Sequence, residues 1–235
     1  GDGALLFLAT LAREPRSLAL ELPEGCVDPV WLDPASGSVM YAEHDAEGRV
    51  LAAFAAYGSR LLGCGLKLPS EPRAAPTVAA QPLTLTTWSL RVEGTDVPGG
   101  MYEADASDLP DWRDVDALAH AGGPGVYRTS VPAEATSVPT GEGGITLDLG
   151  WVEGVAEVSV DGNLVGRVSL PPYRVDLTEH LGGASEITVT VTPPLRNHLI
   201  GLALAGDPEL AHFAGRADTL APAGLRGPVT LELAR

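Results

Sequence analysis

Carboxylates are the most abundant side chains in this sequence that could perform acid–base chemistry, since Asp and Glu together number 31. Two carboxylates held about 5–10 Å apart can hydrolyse a glycosidic bond. The candidates on neighbouring predicted hairpins are Glu153, Glu157, Asp161, Asp176 and Glu179. A solvated sheet face accounts for Glu153 and Glu157, and Asp176 two residues before Thr178 fits a capped turn. Because spacing distinguishes no pair, the sequence predicts no catalytic residue.

The motifs of nucleophilic, metal and nucleotide chemistry are missing from the sequence. It contains no G-x-S-x-G elbow, no H-E-x-x-H and no glycine-rich loop between a strand and a helix. The histidines are isolated in predicted turns or edges, at His44, His120, His180, His198 and His212. They are therefore interpreted as surface or structural residues, and a cysteine-ligated zinc site is excluded because four ligands at suitable spacing are missing.

Aromatic rings combined with planar polar groups are the residue types that bind a sugar at a concave surface. The candidates are Trp112, Trp151, Tyr173, Arg174, Asn197 and His198. Trp112 is predicted to be exposed because its surroundings, LPDWRDVD, are polar, whereas Trp151 at a glycine-flanked corner fits the core and the rim equally. Residues 173–174 and 197–198 each follow a Pro-Pro pair and are predicted to lie in rigid loops. For Arg174, an ion pair with Asp176 or with an interdomain carboxylate is the structural alternative.

The charge balance excludes several classes of partner. A formal net charge of -16 repels phosphate backbones and anionic membrane surfaces, so neither nucleic acid nor membrane is an expected partner. No apolar run is long enough for a transmembrane helix, and the opening apolar run 4–9 follows Asp2 rather than a basic segment, which favours a strand over a signal peptide. A soluble protein is expected, either secreted or cytoplasmic, and the absence of an initial Met suggests a fragment or a processed product.

Cys26 and Cys64 are the only two cysteines in the sequence. They fit two buried free thiols, a common state of cysteine. They also fit one disulfide that closes a small β domain and stabilises it by roughly 3–4 kcal/mol. Both readings stay open, because the sequence does not place the two Cα atoms within bonding range.

Short apolar runs separated by turn residues predict an all-β chain of two domains. Residues 1–68 are predicted to form a small antiparallel β-sandwich, in which the alternation of LALEL directs Leu18, Leu20 and Leu22 to the core. Residues 69–82 are rich in Pro and Ala and are predicted to form a linker. Residues 83–235 are predicted to form the second β domain.

The second domain carries the clearest strand signals. Residues 155–170 predict a hairpin with positive backbone φ angles in its Asp161-Gly162-Asn163 turn. The strict alternation at 185–192 places Ile187, Val189 and Val191 on one face. Short helical turns are predicted at 112–120 and 178–181, so helical content is expected to be small.

Several passages of the chain resemble a known family. They are GPGVYRTSVPAEA at 123–135, LDLGWVEGVAEVSVDGNLVGRVSLPPYRVDLTEHL at 147–181, SEITVTVTPPLRNHLIG at 185–201, PAGLRGPVTLE at 222–232 and VWLDPASGSV at 30–39. They resemble the C-terminal region of glycoside hydrolase family 106, the α-L-rhamnosidases, with a galactose-binding-like jelly roll like the sugar-binding domain of family 2. Asp161 stands where the family more often has Asn, and His198 stands where it has Arg.

The resemblance implies a galactose-binding-like jelly-roll β-sandwich over 83–235 and a catalytic (β/α)8 domain N-terminal to this chain. It implies a non-catalytic accessory region of a rhamnosidase-like glycoside hydrolase, with a stand-alone carbohydrate-binding module and an independent glycosidase as the alternatives. Jelly rolls of this type often hold a calcium ion through carbonyl and carboxylate oxygens. No D-x-D-x-D-G loop marks such a site, and no other cofactor is expected.

Overall fold

The computed structural model describes residues 3–34, 37–68, 71–72, 82–94, 96–131, 144–181 and 185–233. Contacts divide the chain into a small unit, residues 1–77, and a large unit, residues 78–235. The division lies inside the predicted linker 69–82. Most of that linker lies outside the described residues, so its bounds stay a prediction.

The described residues of the small unit form six strands in two antiparallel sheets. The strands are β1 (Ala4–Ala9), β2 (Arg16–Leu20), β3 (Val30–Leu32), β4 (Val39–Tyr41), β5 (Val50–Phe54) and β6 (Ser59–Cys64). The four-stranded sheet has the order β1-β6-β3-β4, and β2 pairs with β5. The predicted small antiparallel sandwich is therefore confirmed.

The core of the small unit follows the period of two that strands impose. Along β5, Val50, Ala52 and Phe54 are buried, and the two residues between them are exposed. They pack with Trp31 and Leu62. The prediction for 18–22 is correct for Leu20 and Leu22, which pack against this core, but wrong for Leu18, which is 44% exposed.

A disulfide joins Cys26 to Cys64, with 4.9 Å between the two Cα atoms. It connects the segment before β3 to the end of β6 and closes a loop with a sequence separation of 38. Of the two readings that the sequence leaves open, the disulfide is therefore the correct one. Free thiols are excluded, since neither cysteine is free.

The large unit contains twelve strands and two short helices among its described residues. The strands are β7 (Leu83–Thr84), β8 (Trp88–Glu93), β9 (Met101–Ala106), β10 (Gly125–Ser130), β11 (Ile145–Asp148), β12 (Trp151–Glu153), β13 (Val155–Val160), β14 (Asn163–Val168), β15 (Arg174–Asp176), β16 (Glu186–Thr192), β17 (Gly224–Gly227) and β18 (Thr230–Leu233). The helices are α1 (Arg196–Leu204) and α2 (Ala211–Ala214), with 3-10 turns at Pro98–Gly100 and Trp112–Asp114.

Two antiparallel sheets enclose the core of the large unit. The six-stranded sheet has the order β14-β13-β16-β10-β8-β9 and the four-stranded sheet β15-β11-β18-β7, while β12 pairs with β17. Both sheets contribute to one buried cluster, for example Val189 from the first and Leu147 from the second. This arrangement is the predicted jelly-roll β-sandwich.

Two strand predictions for the large unit are confirmed, the burial pattern of β16 and the position of the β13–β14 turn. Ile187, Val189 and Val191 are all fully buried, as their alternation predicts. The β13–β14 hairpin turns at Asp161 and Gly162, whose φ angles of 49° and 81° are both positive. Over the described ranges, no helix has the length and apolar character to cross a bilayer.

Residues 197–198 correct the sequence analysis, because they lie in helix α1 and not in a loop. The preceding Pro-Pro pair favours a loop when it is considered alone. Proline is nevertheless well tolerated just before a helix and in its first turn, where the backbone N–H groups have no intrahelical partner. The helix was missed for this reason.

Candidate functional site

Trp112 is fully buried, which corrects the prediction that it is exposed. Its indole Nε1 donates a hydrogen bond to the Tyr127 hydroxyl at 2.7 Å. Gly125 and Gly224 lie against the ring so closely that a Cβ on either would overlap the indole. Arg113 and Asp114, which follow Trp112, are exposed, whereas the ring itself belongs to the core.

Tyr127 completes a buried polar network with Trp112. Its hydroxyl also accepts a hydrogen bond from the backbone N–H of Leu225 at 3.0 Å, which ties β10 to β17. Burial raises the pKa of Tyr127 to about 12, and the hydrogen bonds from Leu225 and Trp112 only partly oppose this effect. The Tyr127 hydroxyl is therefore neutral throughout the physiological range.

The raised pKa of Tyr127 predicts a loss of stability in alkali. The unfolded chain releases the phenolic proton near pH 10 and the folded chain only near pH 12, so stability is complete below about pH 10. It should fall by roughly 3 kcal/mol as the pH rises from about 10 to about 12. Urea unfolding across this range measures the fall. In Tyr127→Phe this contribution should vanish, and an unchanged alkaline slope in that variant would refute the assignment.

Asn197 is buried and holds a neighbouring loop. Its side-chain Nδ2 donates to the carbonyl of Ala221 at 2.7 Å, and its Oδ1 accepts from the N–H of Ala221 at 2.8 Å. Both polar ends of the side chain are occupied. Its buried position gives a structural role, and its contact with a sugar stays an untested prediction.

Replacing Asn197 with leucine should destabilise the large unit by about 2–3 kcal/mol, because two hydrogen bonds are lost and the backbone groups of Ala221 lose their partners. Denaturant unfolding measures the change. The matched control is Asn163→Leu at the exposed first residue of β14, for which a change within about 0.5 kcal/mol is expected. Equal effects of the two substitutions would contradict the role of Asn197.

His198 and Arg174 are both engaged by carboxylates. The Nδ1 of His198 lies 3.0 Å from Asp96. Arg174 pairs with Asp148 at 2.8 Å and with Glu232 at 2.7 Å. The ion-pair alternative for Arg174 is therefore correct in kind but wrong about the partner, because Asp148 and Glu232 belong to the same unit as Arg174 and neither is Asp176. Asp176 accepts a hydrogen bond from the N–H of Thr178 and caps the turn as predicted.

Trp151 and Tyr173 both interact with Glu153, the first through a hydrogen bond and the second through the charge of the carboxylate. The indole Nε1 of Trp151 donates to Glu153. Burial raises the pKa of Tyr173, and the charge of Glu153 raises it further. Glu153 in turn lies 3.6 Å from Arg226. We call Asp111, Arg113, Trp151, Glu153, Tyr173 and Arg226 the Glu153–Arg226 cluster.

The pairing of β12 with β17 positions this cluster. Trp151 and Glu153 are two residues apart on β12 and therefore share a face. In the β12–β17 pairing, Trp151 lies opposite Gly227 and Glu153 opposite Gly224, which brings Arg226 alongside. The sequence analysis assigned Glu153 to a solvated sheet face and did not connect it with Trp151, although the spacing of the two residues was a usable signal. No sequence pattern pointed to Arg226.

Asp111 is the buried carboxylate of the cluster and lies 3.5 Å from Arg226. Its carboxylate accepts hydrogen bonds from Arg113, from the backbone of Arg113 and from the backbone of Ala223. Burial raises the pKa of Asp111, but these hydrogen bonds outweigh burial and hold the pKa below its ordinary value. Asp111 is therefore ionised and cannot serve as a general acid near neutral pH.

The cluster leaves polar groups available at the surface. Arg226 has a side chain that is 37% exposed, and its distances of 3.5 Å to Asp111 and 3.6 Å to Glu153 leave its N–H groups free for a closer acceptor. Trp151 and Tyr173 are both partly exposed. This combination of rings, a guanidinium and a carboxylate is suited to hydroxyl groups of a sugar. Among the described residues, no group of three or more His, Cys, Asp or Glu could hold a metal ion.

No protein-family model and no curated protein sequence matches this chain. Among solved structures, a rhamnosidase from Novosphingobium sp. PP1Y matches 99% of this chain at 20% identity with a TM-score of 0.69, over 23% of its own length. A GH2 β-galacturonidase from Eisenbergiella tayi matches 65% of this chain at 22% identity with a TM-score of 0.42, over 24% of its length.

A β-glucuronidase from Faecalibacterium prausnitzii matches 72% of this chain at 19% identity with a TM-score of 0.44, over 33% of its length. The chain thus spans about a quarter to a third of the solved structures named here. The match to the rhamnosidase, which extends over nearly all of this chain, shows that the chain has the β-sandwich fold of a segment of a larger glycoside hydrolase.

Proposed function

We propose that this chain is a non-catalytic accessory region of a rhamnosidase-like glycoside hydrolase and that it stabilises the catalytic domain of that enzyme. The observation that carries the proposal is the likeness to the Novosphingobium rhamnosidase, which extends over 99% of this chain but only 23% of that one. The remainder of such an enzyme is long enough to hold a separate catalytic domain. A (β/α)8 barrel is the proposed form of that domain.

The chemistry of the best candidate site supports a non-catalytic role. The carboxylates of the Glu153–Arg226 cluster each lie beside a guanidinium, and Asp111 is held ionised. A glycosidase needs a carboxylic acid that stays protonated near neutral pH to protonate the leaving group. Asp111 therefore does not fit the acid role.

Deletion tests the accessory role. In the complete polypeptide that carries this chain, removing residues 1–235 should shorten the half-life of glycosidase activity at raised temperature, while the initial rate per folded molecule changes little. A matched polypeptide with Gly224→Ala, which disturbs the large unit without removing it, should show an intermediate half-life. An unchanged half-life after deletion would refute the stabilising role.

A second candidate function is carbohydrate binding at the Glu153–Arg226 cluster, favoured by its two partly exposed rings and its partly exposed guanidinium. Titration with rhamnose, galactose and pectic oligosaccharides, followed by calorimetry and chemical shifts, tests it. Trp151→Ala should abolish any binding, whereas Tyr57→Ala, at an exposed ring of the small unit, should leave it intact. The absence of heat and of shift changes at millimolar sugar would remove this candidate.

A further inference from the structure

The small unit contains an open groove of about 620 Å³. It is lined by residues of strands β2 to β6 and of the connection between β4 and β5. Trp31, Met40 and Ala52 supply apolar lining from the edge of the core, and Leu18, which was predicted to face that core, lines the groove as well. The volume is sufficient for a monosaccharide or a small organic acid.

Arg60 lies in this groove with its guanidinium stacked on Trp31, the Cζ atom being 3.8 Å from the ring centroid. Within the described part of the chain, the only hydrogen bond of its side chain is a long one, from Nη1 to the carbonyl of Ala53 at 3.5 Å. A guanidinium that stacks through its face leaves its edge N–H groups directed sideways, where they match the two oxygens of a carboxylate.

The charges around the groove leave Arg60 without an internal carboxylate partner. Arg49 on the opposite rim is paired with Asp45 at 2.7 Å and with Glu47 at 3.1 Å. Over the described residues, no carboxylate lies within ion-pair distance of Arg60. Burial lowers the pKa of Arg60, but the guanidinium remains charged at any physiological pH. A partly desolvated cation of this kind gains most from an anionic ligand.

We propose that this groove binds a ligand that carries a carboxylate, with the guanidinium of Arg60 donating two hydrogen bonds to the carboxylate oxygens. A hexuronic acid residue and a simple organic acid share this chemistry. Glu43 also lines the groove and opposes the ligand's charge, so it limits the affinity. The inference does not rest on the proposed accessory role, because it is argued only from the residues that line this groove.

Titration of the whole 235-residue chain with glucuronate, glucose and acetate tests the proposal, since glucose carries a hydroxymethyl group where glucuronate carries the carboxylate. At millimolar glucuronate, the indole N–H resonance of Trp31 and the Nε–H resonance of Arg60 should shift and saturate. Glucose should not shift them. Saturation by glucuronate but not by acetate would identify a sugar acid, and equal saturation by both would identify a simple carboxylate site.

Substitutions distinguish glucuronate binding in the groove from binding elsewhere on the chain. Arg60→Gln should weaken glucuronate binding by about tenfold or more, as expected for the loss of a charge-assisted hydrogen bond, whereas Arg16→Gln, an exposed arginine outside the groove lining, should not. Glu43→Gln, an exposed change that should leave folding intact, should strengthen binding by about twofold to fivefold. Equal binding of glucose and glucuronate, or no response of Trp31 to glucuronate, would overturn the proposal.

Discussion

Replacing both Cys26 and Cys64 with serine is expected to destabilise the small unit by about 4 kcal/mol, the entropy of closing a loop with a sequence separation of 38. A unit of this size buries a small core and has little stability to lose. The small unit should therefore unfold at a much lower temperature than the large unit.

Amide hydrogen exchange of the double variant measures this loss. Protection in β5 and β6 should fall to near zero, while protection in β13 and β16 of the large unit should stay unchanged. Reduction of the wild-type chain with dithiothreitol is the matched control and should reproduce the pattern without any substitution. Full protection of β5 and β6 in the reduced chain would contradict a stabilising disulfide.

Replacing Gly224 with alanine is expected to destabilise the large unit by roughly 3–5 kcal/mol. Gly224 has a φ angle of 93°, which strains any residue with a Cβ. The added methyl group would also overlap the indole of Trp112 and crowd the hydroxyl of Tyr127. Overpacking of a buried, hydrogen-bonded pair adds to the backbone strain, because neither ring can move without losing its partner.

Gly162→Ala is the control that separates the two causes. Its φ angle of 81° is similarly positive, but no atom lies within 4 Å of an added Cβ. This variant should lose only about 1–2 kcal/mol, the cost of the backbone conformation. Thermal unfolding of both variants measures the difference, and equal losses would mean that the Trp112–Tyr127 pair does not constrain Gly224.

The strands of this protein were predictable because their signal is local. In β16, the residues Ile187, Val189 and Val191 alternate with polar ones, and the structure buries all three. Likewise, the residue types of the Asp161-Gly162 turn predict the positive φ angles that the structure has there. Periodicity of this kind is set by side chains pointing to alternate faces of a sheet, so one segment contains the information.

The candidate site was harder to predict, since its contacts join distant segments. Trp112 has polar neighbours in sequence, yet its ring is enclosed by Gly125 and Gly224. Similarly, Glu153 lies near Arg226, 73 positions later in the sequence, only because β12 pairs with β17. Tertiary contacts of this kind leave no local pattern, and only the short spacing of Trp151 and Glu153 could have indicated them.

A glycosidase assay of the isolated 235-residue chain tests the central claim most directly. On a panel of aryl glycosides that includes an α-L-rhamnoside, the chain should release no more product than buffer does. Circular dichroism of the same sample should show a folded β protein. Turnover by the isolated chain that disappears in Glu153→Gln would contradict the account, because the Glu153–Arg226 cluster would then be a catalytic site.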